Sequence, residues 1–377
     1  MPPITILIKP ASSACNLHCK YCFYCDEAEK RTERSYGLMT EDTLEILVKK
    51  AFEYGESFVG FAFQGGEPTL AGLDFYRKLL ELQQKYNQKR AKISNSIQTN
   101  GTLIDADWAE FLAQNRFLVG LSLDGPKDIN DLNRVDAQGK GSYNWVAKTV
   151  QLFNQHQVEY NVLSVVTKPV ARHIGTVYQF LVKQGFQYLQ FIPCLDGLGE
   201  EPGHNLYSLT AELYEEFLKR LFDLWYRDWQ NGRRISIRMF DNILQLLLGY
   251  PPESCDMKGY CSANPVIEAD GSVYPCDFYV LDQWKMGNIR TADFPEMLQS
   301  ETARDFTAVS AGIAEQCGQC DFYPVCRGGC RRHYEPITEQ ITGRNYFCSA
   351  YQGFYRYALP RFYEMARVIG CERGVSV

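Results

Sequence analysis

The first half of the chain alternates short apolar, β-branched runs with longer segments whose apolar positions recur at helical spacing. Strands are predicted at Ile4 to Ile8, Phe58 to Phe63, Lys92 to Ile97, Phe117 to Leu123, Tyr160 to Val166 and Tyr188 to Ile192. Between the first two, Thr40 caps a predicted helix with Glu41 and Asp42 in its first turn. Leu44, Leu47, Val48 and Ala51 form one apolar stripe on it before Gly55. Repeated strand–helix units favour right-handed crossovers and a parallel sheet, with active residues at the carboxyl ends of the strands. The expected fold class is α/β, and six units suggest a partial (β/α)6 barrel.

This rhythm breaks in the Gly-, Pro- and His-containing stretch from Asp196 to Ser208, and a strongly helical segment follows from about Thr210 to Trp229. From Pro251 onward, short segments are punctuated by Cys and Gly as far as Cys348, before an aromatic helical run through Tyr351, Tyr355 and Tyr363. The expected organisation is a core over 1–209, a helical bridge over 210–250, a Cys-rich domain over 251–348 and a terminal helix over 349–377. No tandem repeat or low-complexity segment is evident.

With 377 residues, 45% hydrophobic and 22% charged, the chain has the make-up of a folded globular protein. A net charge of −6 disfavours nucleic acid and anionic membrane as partners. Met1-Pro2-Pro3-Ile4 lacks a cationic stretch followed by an apolar run, and no window reaches the length of a membrane span, so a cytoplasmic protein is expected. Fourteen cysteines in a reducing compartment point to ligation or catalysis rather than disulfides.

Cys15, Cys19 and Cys22 lie in the loop after the first strand, where a parallel sheet presents its carboxyl edge. A four-iron cubane normally takes four cysteine ligands, so three thiolates leave one iron open. An open, electron-rich iron can chelate the amino and carboxylate groups of a methionine and pass an electron to its sulfonium. Zinc ligation or simple core cysteines are the bland alternatives. The spacing Cys15-x3-Cys19-x2-Cys22 resembles the signature of the radical S-adenosylmethionine superfamily, in which a reduced cluster generates a 5′-deoxyadenosyl radical. Gln64-Gly65-Gly66-Glu67-Pro68, after the second strand, is similar to the family segment that binds the methionine amino group. Its glycines permit close backbone approach, and Glu67 offers a carboxylate either to accept from the ligand or to fix the loop.

Eight further cysteines lie in the carboxyl third. Cys261-x9-Gly271-x4-Cys276, then Cys317-x2-Cys320-x5-Cys326-x3-Cys330 and Cys348, with Cys255 ahead, resembles the SPASM extension of peptide- and protein-modifying radical enzymes. The resemblance implies one auxiliary [4Fe–4S] cluster on Cys255, Cys261, Cys276 and Cys330, and another on Cys317, Cys320, Cys326 and Cys348. With the first group this makes three [4Fe–4S] clusters. Two four-cysteine zinc sites are the alternative.

Over nearly the whole chain the sequence is similar to the anaerobic sulfatase-maturating enzymes, from Leu7-Ile8-Lys9-Pro10-Ala11-Ser12-Ser13 through Tyr274-Pro275-Cys276-Asp277-Phe278-Tyr279. Those enzymes oxidise a cysteine, or in some members a serine, of an unfolded sulfatase to formylglycine. The resemblance implies S-adenosylmethionine contacts at Tyr21, Gly65, Gly66, Glu67, Ser122, Arg134 and Leu195, a catalytic base at Asp277, and peptide contacts at Gln64, Gln98 and Arg238. It also implies a Cys/Ser-x-Pro-x-Arg segment as partner and an electron donor such as flavodoxin or ferredoxin. Asp277 is expected to have its pKa raised by burial, and Arg238 has the plainer alternative of pairing with Asp241. Cys25, Cys194 and Cys371 remain outside the proposed ligand sets. The rival readings are a SPASM enzyme that crosslinks or epimerises a ribosomal peptide and a noncatalytic zinc-binding interaction protein. A first strand at Ile4 leaves no room for a precursor-recognition domain ahead of it, which favours sulfatase maturation.

Overall fold

The computed structural model describes residues 3–334 and 344–373, so residues 335–343 of the expected Cys-rich domain and the last four of the expected 349–377 helix lie outside the described residues. Ten strands are described: β1 (Ile4–Ile8), β2 (Phe58–Phe63), β3 (Lys92–Thr99), β4 (Leu118–Ser122), β5 (Tyr160–Val166), β6 (Tyr188–Pro193), β7 (Ser236–Ile237), β8 (Val266–Ile267), β9 (Ser272–Tyr274) and β10 (Gly287–Asn288). β3 runs two residues past the expected end, because Gln98 and Thr99 continue the ladder opposite Gly120 and Leu121. That extension places both side chains at the strand's carboxyl end.

Packing divides the chain into two compact units. The first comprises Met1–Ser122, Arg134–Tyr160 and Ser262–Phe306. Within it β1 to β4 are parallel neighbours in chain order. Helix Glu41–Tyr54 forms as the pattern predicts: Thr40 Oγ1 accepts from the Thr43 N–H at 3.2 Å, and Leu44, Leu47, Val48 and Ala51 are fully buried. Ile6, Ile8, Val59 and Phe61 supply the buried side of the sheet. The far edge of β1 takes β8 in parallel, Leu7 opposite Val266, and β8, β9 and β10 continue as an antiparallel meander. Gly271 closes the β8–β9 turn at φ +89°, where a Cβ would lie 2.9 Å from the Ile289 side chain.

The second unit comprises Leu123–Asn133, Asn161–Cys261 and Thr307–Val377. Its strands β5, β6 and β7 are parallel. Thr210 caps helix Ala211–Gln230 by accepting from the Leu213 N–H, at the start of the helical segment expected from about Thr210 to Trp229. That helix packs along Cys348–Arg373, and between them Phe222, Trp225, Phe240, Phe354 and Phe362 form an aromatic core with ring centroids 4.7–6.3 Å apart. Among the described residues no helix is long and apolar enough to cross a membrane.

Candidate functional site

The loop leaving β1 carries Cys15, Cys19 and Cys22, and Cys22 stands at the N-cap of helix Phe23–Glu29. Burial pushes the Cys15 thiol up to about 12. Its sulfur receives the Leu17 N–H at 3.4 Å and the Asn100 amide at 3.7 Å. The Cys22 thiol goes the other way, to about 6, because the Cys25 S–H, the Cys25 and Tyr24 backbone N–H groups and the Arg134 charge all favour its thiolate. Cys25, outside the ligand set, therefore acts on a ligand. The Arg134 guanidinium lies 5.6 Å from the Tyr21 ring centroid, bringing together two expected S-adenosylmethionine contacts.

The segment after β2 is fastened to this loop through backbone. Gly66 N–H donates to Ser12 O at 3.0 Å and Glu67 N–H to Ala14 O at 2.8 Å, and a Cβ on Gly66 would lie 2.0 Å from Ala14 O. The sequence left two tasks open for Glu67, and its contacts match the second. The buried carboxylate accepts from Thr69 N–H and Oγ1, from Thr99 Oγ1 at 2.7 Å and from the Asn100 N–H at 2.8 Å. Glu67 thus ties the ends of β2 and β3 together. Gln98 Nε2 donates to Ser122 Oγ at 3.0 Å, and Gly120 is bare where a Cβ would lie 2.0 Å from Gln98 Oε1.

Asp277 heads a short 3-10 turn that packs on helix Phe23–Glu29, with Phe278 and Phe23 ring centroids 4.6 Å apart. Its Oδ2 accepts from Tyr24 O–H at 2.6 Å and from Gln64 Nε2 at 3.0 Å, and Gln64 also donates to the Tyr24 oxygen at 2.6 Å. Its Oδ1 is buried without a hydrogen-bond partner. Burial raises the Asp277 carboxyl to about 6 against the opposing Lys9 charge and the Tyr24 hydrogen bond. Lys9 lies 5.1 Å from the Tyr24 ring and pairs at 3.0 Å with buried Glu268, which also takes Arg31 at 2.5 Å. Tyr24, Lys9, Glu268 and Asn100 were not picked from the sequence. The available signal was Lys9 itself, a cation ending the apolar run Ile4 to Ile8.

In the second unit, Cys317, Cys320, Cys326 and Cys348 line a cavity of about 410 Å³ with Tyr334 and Gln352. Gln352 Nε2 approaches Cys320 Sγ at 3.8 Å. Cys261 acts on the Cys255 thiol, both act on the Cys330 thiol, and burial pushes all three up. Among the described residues no three Cys, His, Asp or Glu side chains close around a single-ion point. Four thiols around a volume of this size suit a multi-iron cluster better than the compact tetrahedron of zinc. Leu195 lines a small cleft with Cys194, Asp196 and Arg332. Cys194 is buried and approaches the Leu195 carbonyl at 3.8 Å. Arg238 is exposed at the start of helix Arg238–Leu247, and Asp241 accepts from Ser236 Oγ at 2.5 Å.

Family models describing the radical SAM superfamily and the SPASM iron–sulfur cluster-binding domain match residues 10–180 and 255–321. A cysteine-type anaerobic sulfatase-maturating enzyme of Clostridium perfringens is 48% identical over 98% of this chain and all of its own length. A serine-type anaerobic sulfatase-maturating enzyme of Bacteroides thetaiotaomicron is 32% identical over 95% of this chain and 90% of its own. Among solved structures, native anSMEcpe with bound AdoMet and Cp18Cys peptide superposes with a TM-score of 0.94 at 48% identity, covering 98% of this chain and 100% of that one. Together with the cysteine loop, its backbone-fastened Gly-Gly-Glu segment and the Asp277 carboxylate, these likenesses show that the chain belongs to the anaerobic sulfatase-maturating enzymes, radical S-adenosylmethionine proteins with a SPASM domain.

Proposed function

We propose that this protein oxidises a cysteine side chain in an unfolded sulfatase to formylglycine. The observation that carries this reading is the half-buried Asp277 carboxylate, held through one oxygen by Tyr24 and Gln64 while the other has no partner. Cys15, Cys19 and Cys22 would hold one cluster, and Cys255, Cys261, Cys276, Cys330 and Cys317, Cys320, Cys326, Cys348 the two auxiliary ones. When bound and reduced, the first cluster supplies a 5′-deoxyadenosyl radical from S-adenosylmethionine, and the auxiliary clusters supply an electron acceptor.

Converting a Cβ thiol to a thioaldehyde removes two electrons and two protons. One proton and one electron leave as a hydrogen atom, so a proton and an electron remain to be placed. Asp277 takes the proton, a cluster held by the auxiliary cysteines would supply the acceptor for the electron, and water hydrolyses the thioaldehyde to the aldehyde and hydrogen sulfide. An ordinary aspartate would face a ~6 kcal/mol uphill transfer from an ordinary thiol, whereas a carboxyl near 6 faces ~3 kcal/mol. The thiol is acidified further once its carbon is a radical. Tyr24 and Gln64 hold Oδ2 and leave Oδ1 to receive the proton. Tyr21, Gly66, Ser122, Arg134 and Leu195 are assigned to S-adenosylmethionine, and Gln64, Gln98 and Arg238 to the peptide. Gly65 and Glu67 support that pocket by positioning. The higher identity to the cysteine-type relative than to the serine-type one favours cysteine as the target. The electron donor is assigned to the flavodoxin or ferredoxin class.

Anaerobic turnover of the reconstituted enzyme with S-adenosylmethionine and a Cys-x-Pro-x-Arg peptide, followed by mass spectrometry, tests the reading. Formylglycine and 5′-deoxyadenosine are expected together. In Asp277→Asn, formylglycine should fall by ~10²-fold or more while deoxyadenosine persists. Full product formation by that variant would remove Asp277 from the mechanism.

A further inference from the structure

Asn100 directly follows β3 and is only 8% exposed. Its backbone N–H donates to Glu67 Oε2 at 2.8 Å. Its side-chain Oδ1 accepts from the Thr102 N–H at 2.9 Å and from Thr102 Oγ1 at 2.7 Å, which makes an Asx-type turn. A backbone N–H can only donate, so the amide oxygen is fixed on the Thr102 side and Nδ2 is turned the other way. There Nδ2 donates to Asn16 Oδ1 at 2.9 Å and to Cys15 Sγ at 3.7 Å, the longer distance suiting the larger acceptor. Asn16 Nδ2 in turn donates to Thr102 Oγ1 at 2.7 Å, so Asn16, Asn100 and Thr102 close a ring of side-chain hydrogen bonds. All of these residues belong to the first compact unit. With its oxygen doubly occupied and its nitrogen also held by Asn16, the Asn100 amide is kept on the sulfur by the network around it.

We propose that Asn100 raises the reduction potential of the cluster held by Cys15, Cys19 and Cys22 by donating a side-chain hydrogen bond to the Cys15 sulfur. The inference rests on the assignment of those cysteines to a cluster. One-electron reduction adds a negative charge, part of which the ligand sulfurs carry. A donor aimed at one of those sulfurs therefore stabilises the reduced state over the oxidised one. The Leu17 N–H also reaches this sulfur, at 3.4 Å, but it is a backbone group and stays when side chains change. Asn100 is the donor that a substitution can remove. It acts through a ligand rather than on the substrate, so it is a positioning residue and not a catalytic one. The electron balance is that of the priming step: a donor of the flavodoxin or ferredoxin class loses one electron and the cluster gains it. A higher potential lets a given donor fill the reduced state further, and that state is the one from which S-adenosylmethionine is cleaved.

The test is an EPR-monitored redox titration of the anaerobically reconstituted full-length enzyme. It follows the signal that changes when S-adenosylmethionine is added, which marks the first cluster among the three. Asn100→Leu removes the donor, and Asn100→Asp keeps the acceptor for Thr102 while replacing the donor with an oxygen. Each should shift the reduction equilibrium about tenfold toward the oxidised form, a fall of ~59 mV for one electron. Thr102→Val opens the ring but leaves the Asn100 amide, and its midpoint should stay at the parent value. Unchanged midpoints in both Asn100 variants, with iron and sulfide intact, overturn the inference and leave the cluster assignment standing. An equal fall in Thr102→Val also overturns it, because the potential then follows the placement of the loop and not the bond to sulfur. If one Asn100 variant loses the first cluster, the other decides; if both lose it, Asn100 serves to hold the cluster and the tuning role is wrong. If Cys15→Ala and Cys19→Ala leave iron, sulfide and the S-adenosylmethionine-sensitive signal unchanged, the assignment itself is wrong.

Discussion

Three carboxylates close to one another, half-buried Asp277 and buried Glu268 and Glu27, respond differently because their partners differ. Burial would raise Glu268, but the Lys9 and Arg31 charges hold it below the ordinary range. Glu27 has no such pair. Its Oε1 accepts from the Val280 N–H at 3.2 Å, its Oε2 is buried without a hydrogen-bond partner, and burial lifts it to about 8 against Lys9 and Arg31. A folded-state pKa above the ordinary 4.5 means that the folded protein keeps a proton the unfolded chain has released. This proton favours folding fully below about 4.5, and the advantage is lost progressively as pH rises toward 8. Glu27→Gln removes that dependence. The variant should match the parent near pH 4.5 and exceed it by about 2–4 kcal/mol at pH 8, seen as a Tm difference that widens with pH in anaerobic melts. A Tm difference independent of pH would show that Glu27 is ionised in the fold. None of this was legible from residue identity. Glu27 reads as one acid among several in Asp26-Glu27-Ala28-Glu29, and its burial depends on the turn at Asp277.

At the scale of elements, the sequence was most informative where local chemistry settles structure. Thr40 begins its helix by the expected cap, the helix expected from about Thr210 starts there, and β1, β2 and β5 have the expected limits, because capping and apolar alternation need no distant partner. Pairings distant in sequence were not legible: Leu7 opposite Val266 joins β8 to β1, and nothing in either dipeptide marks the other. The Gly-Gly-Glu-Pro segment was recognised, with close backbone approach expected of its glycines and loop fixing as one of two tasks for Glu67, but the groups that each part meets were not legible. Gly66 allows the segment to touch the backbone of the cysteine loop, and Glu67 binds Thr69, Thr99 and Asn100. In Gly66→Ala, a methyl placed 2.0 Å from Ala14 O must push the two backbones apart and break the Gly66 and Glu67 N–H bonds. The expected cost is about 1–3 kcal/mol, concentrated on the loop that carries Cys15. Reconstituted Gly66→Ala should therefore lose 5′-deoxyadenosine production at least tenfold while retaining the auxiliary iron. Parent-level deoxyadenosine would show that the loop tolerates the displacement.

Two of the assigned residue sets fall wholly in different compact units. Cys15, Cys19, Cys22 and Asp277 lie in the first compact unit, and Cys317, Cys320, Cys326 and Cys348 all lie in the second. The assignment of radical formation and proton removal to the first set and electron removal to auxiliary clusters then predicts that they can be separated. The variant Cys320→Ala with Cys348→Ala removes two of the thiols around the second unit's cavity, and the cysteine loop and Asp277 belong to the first unit. Of about twelve irons expected for three four-iron clusters, about four should be lost. The first cluster should still cleave S-adenosylmethionine, so deoxyadenosine continues to form. With one electron acceptor gone, hydrogen abstraction no longer leads reliably to the two-electron product, and formylglycine formed per deoxyadenosine should fall severalfold below the parent ratio. Quantifying both products in one anaerobic time course reads that ratio directly. A parent ratio in protein lacking the four irons would mean that this cluster lies off the electron path, and a full iron complement would mean that these thiols hold none.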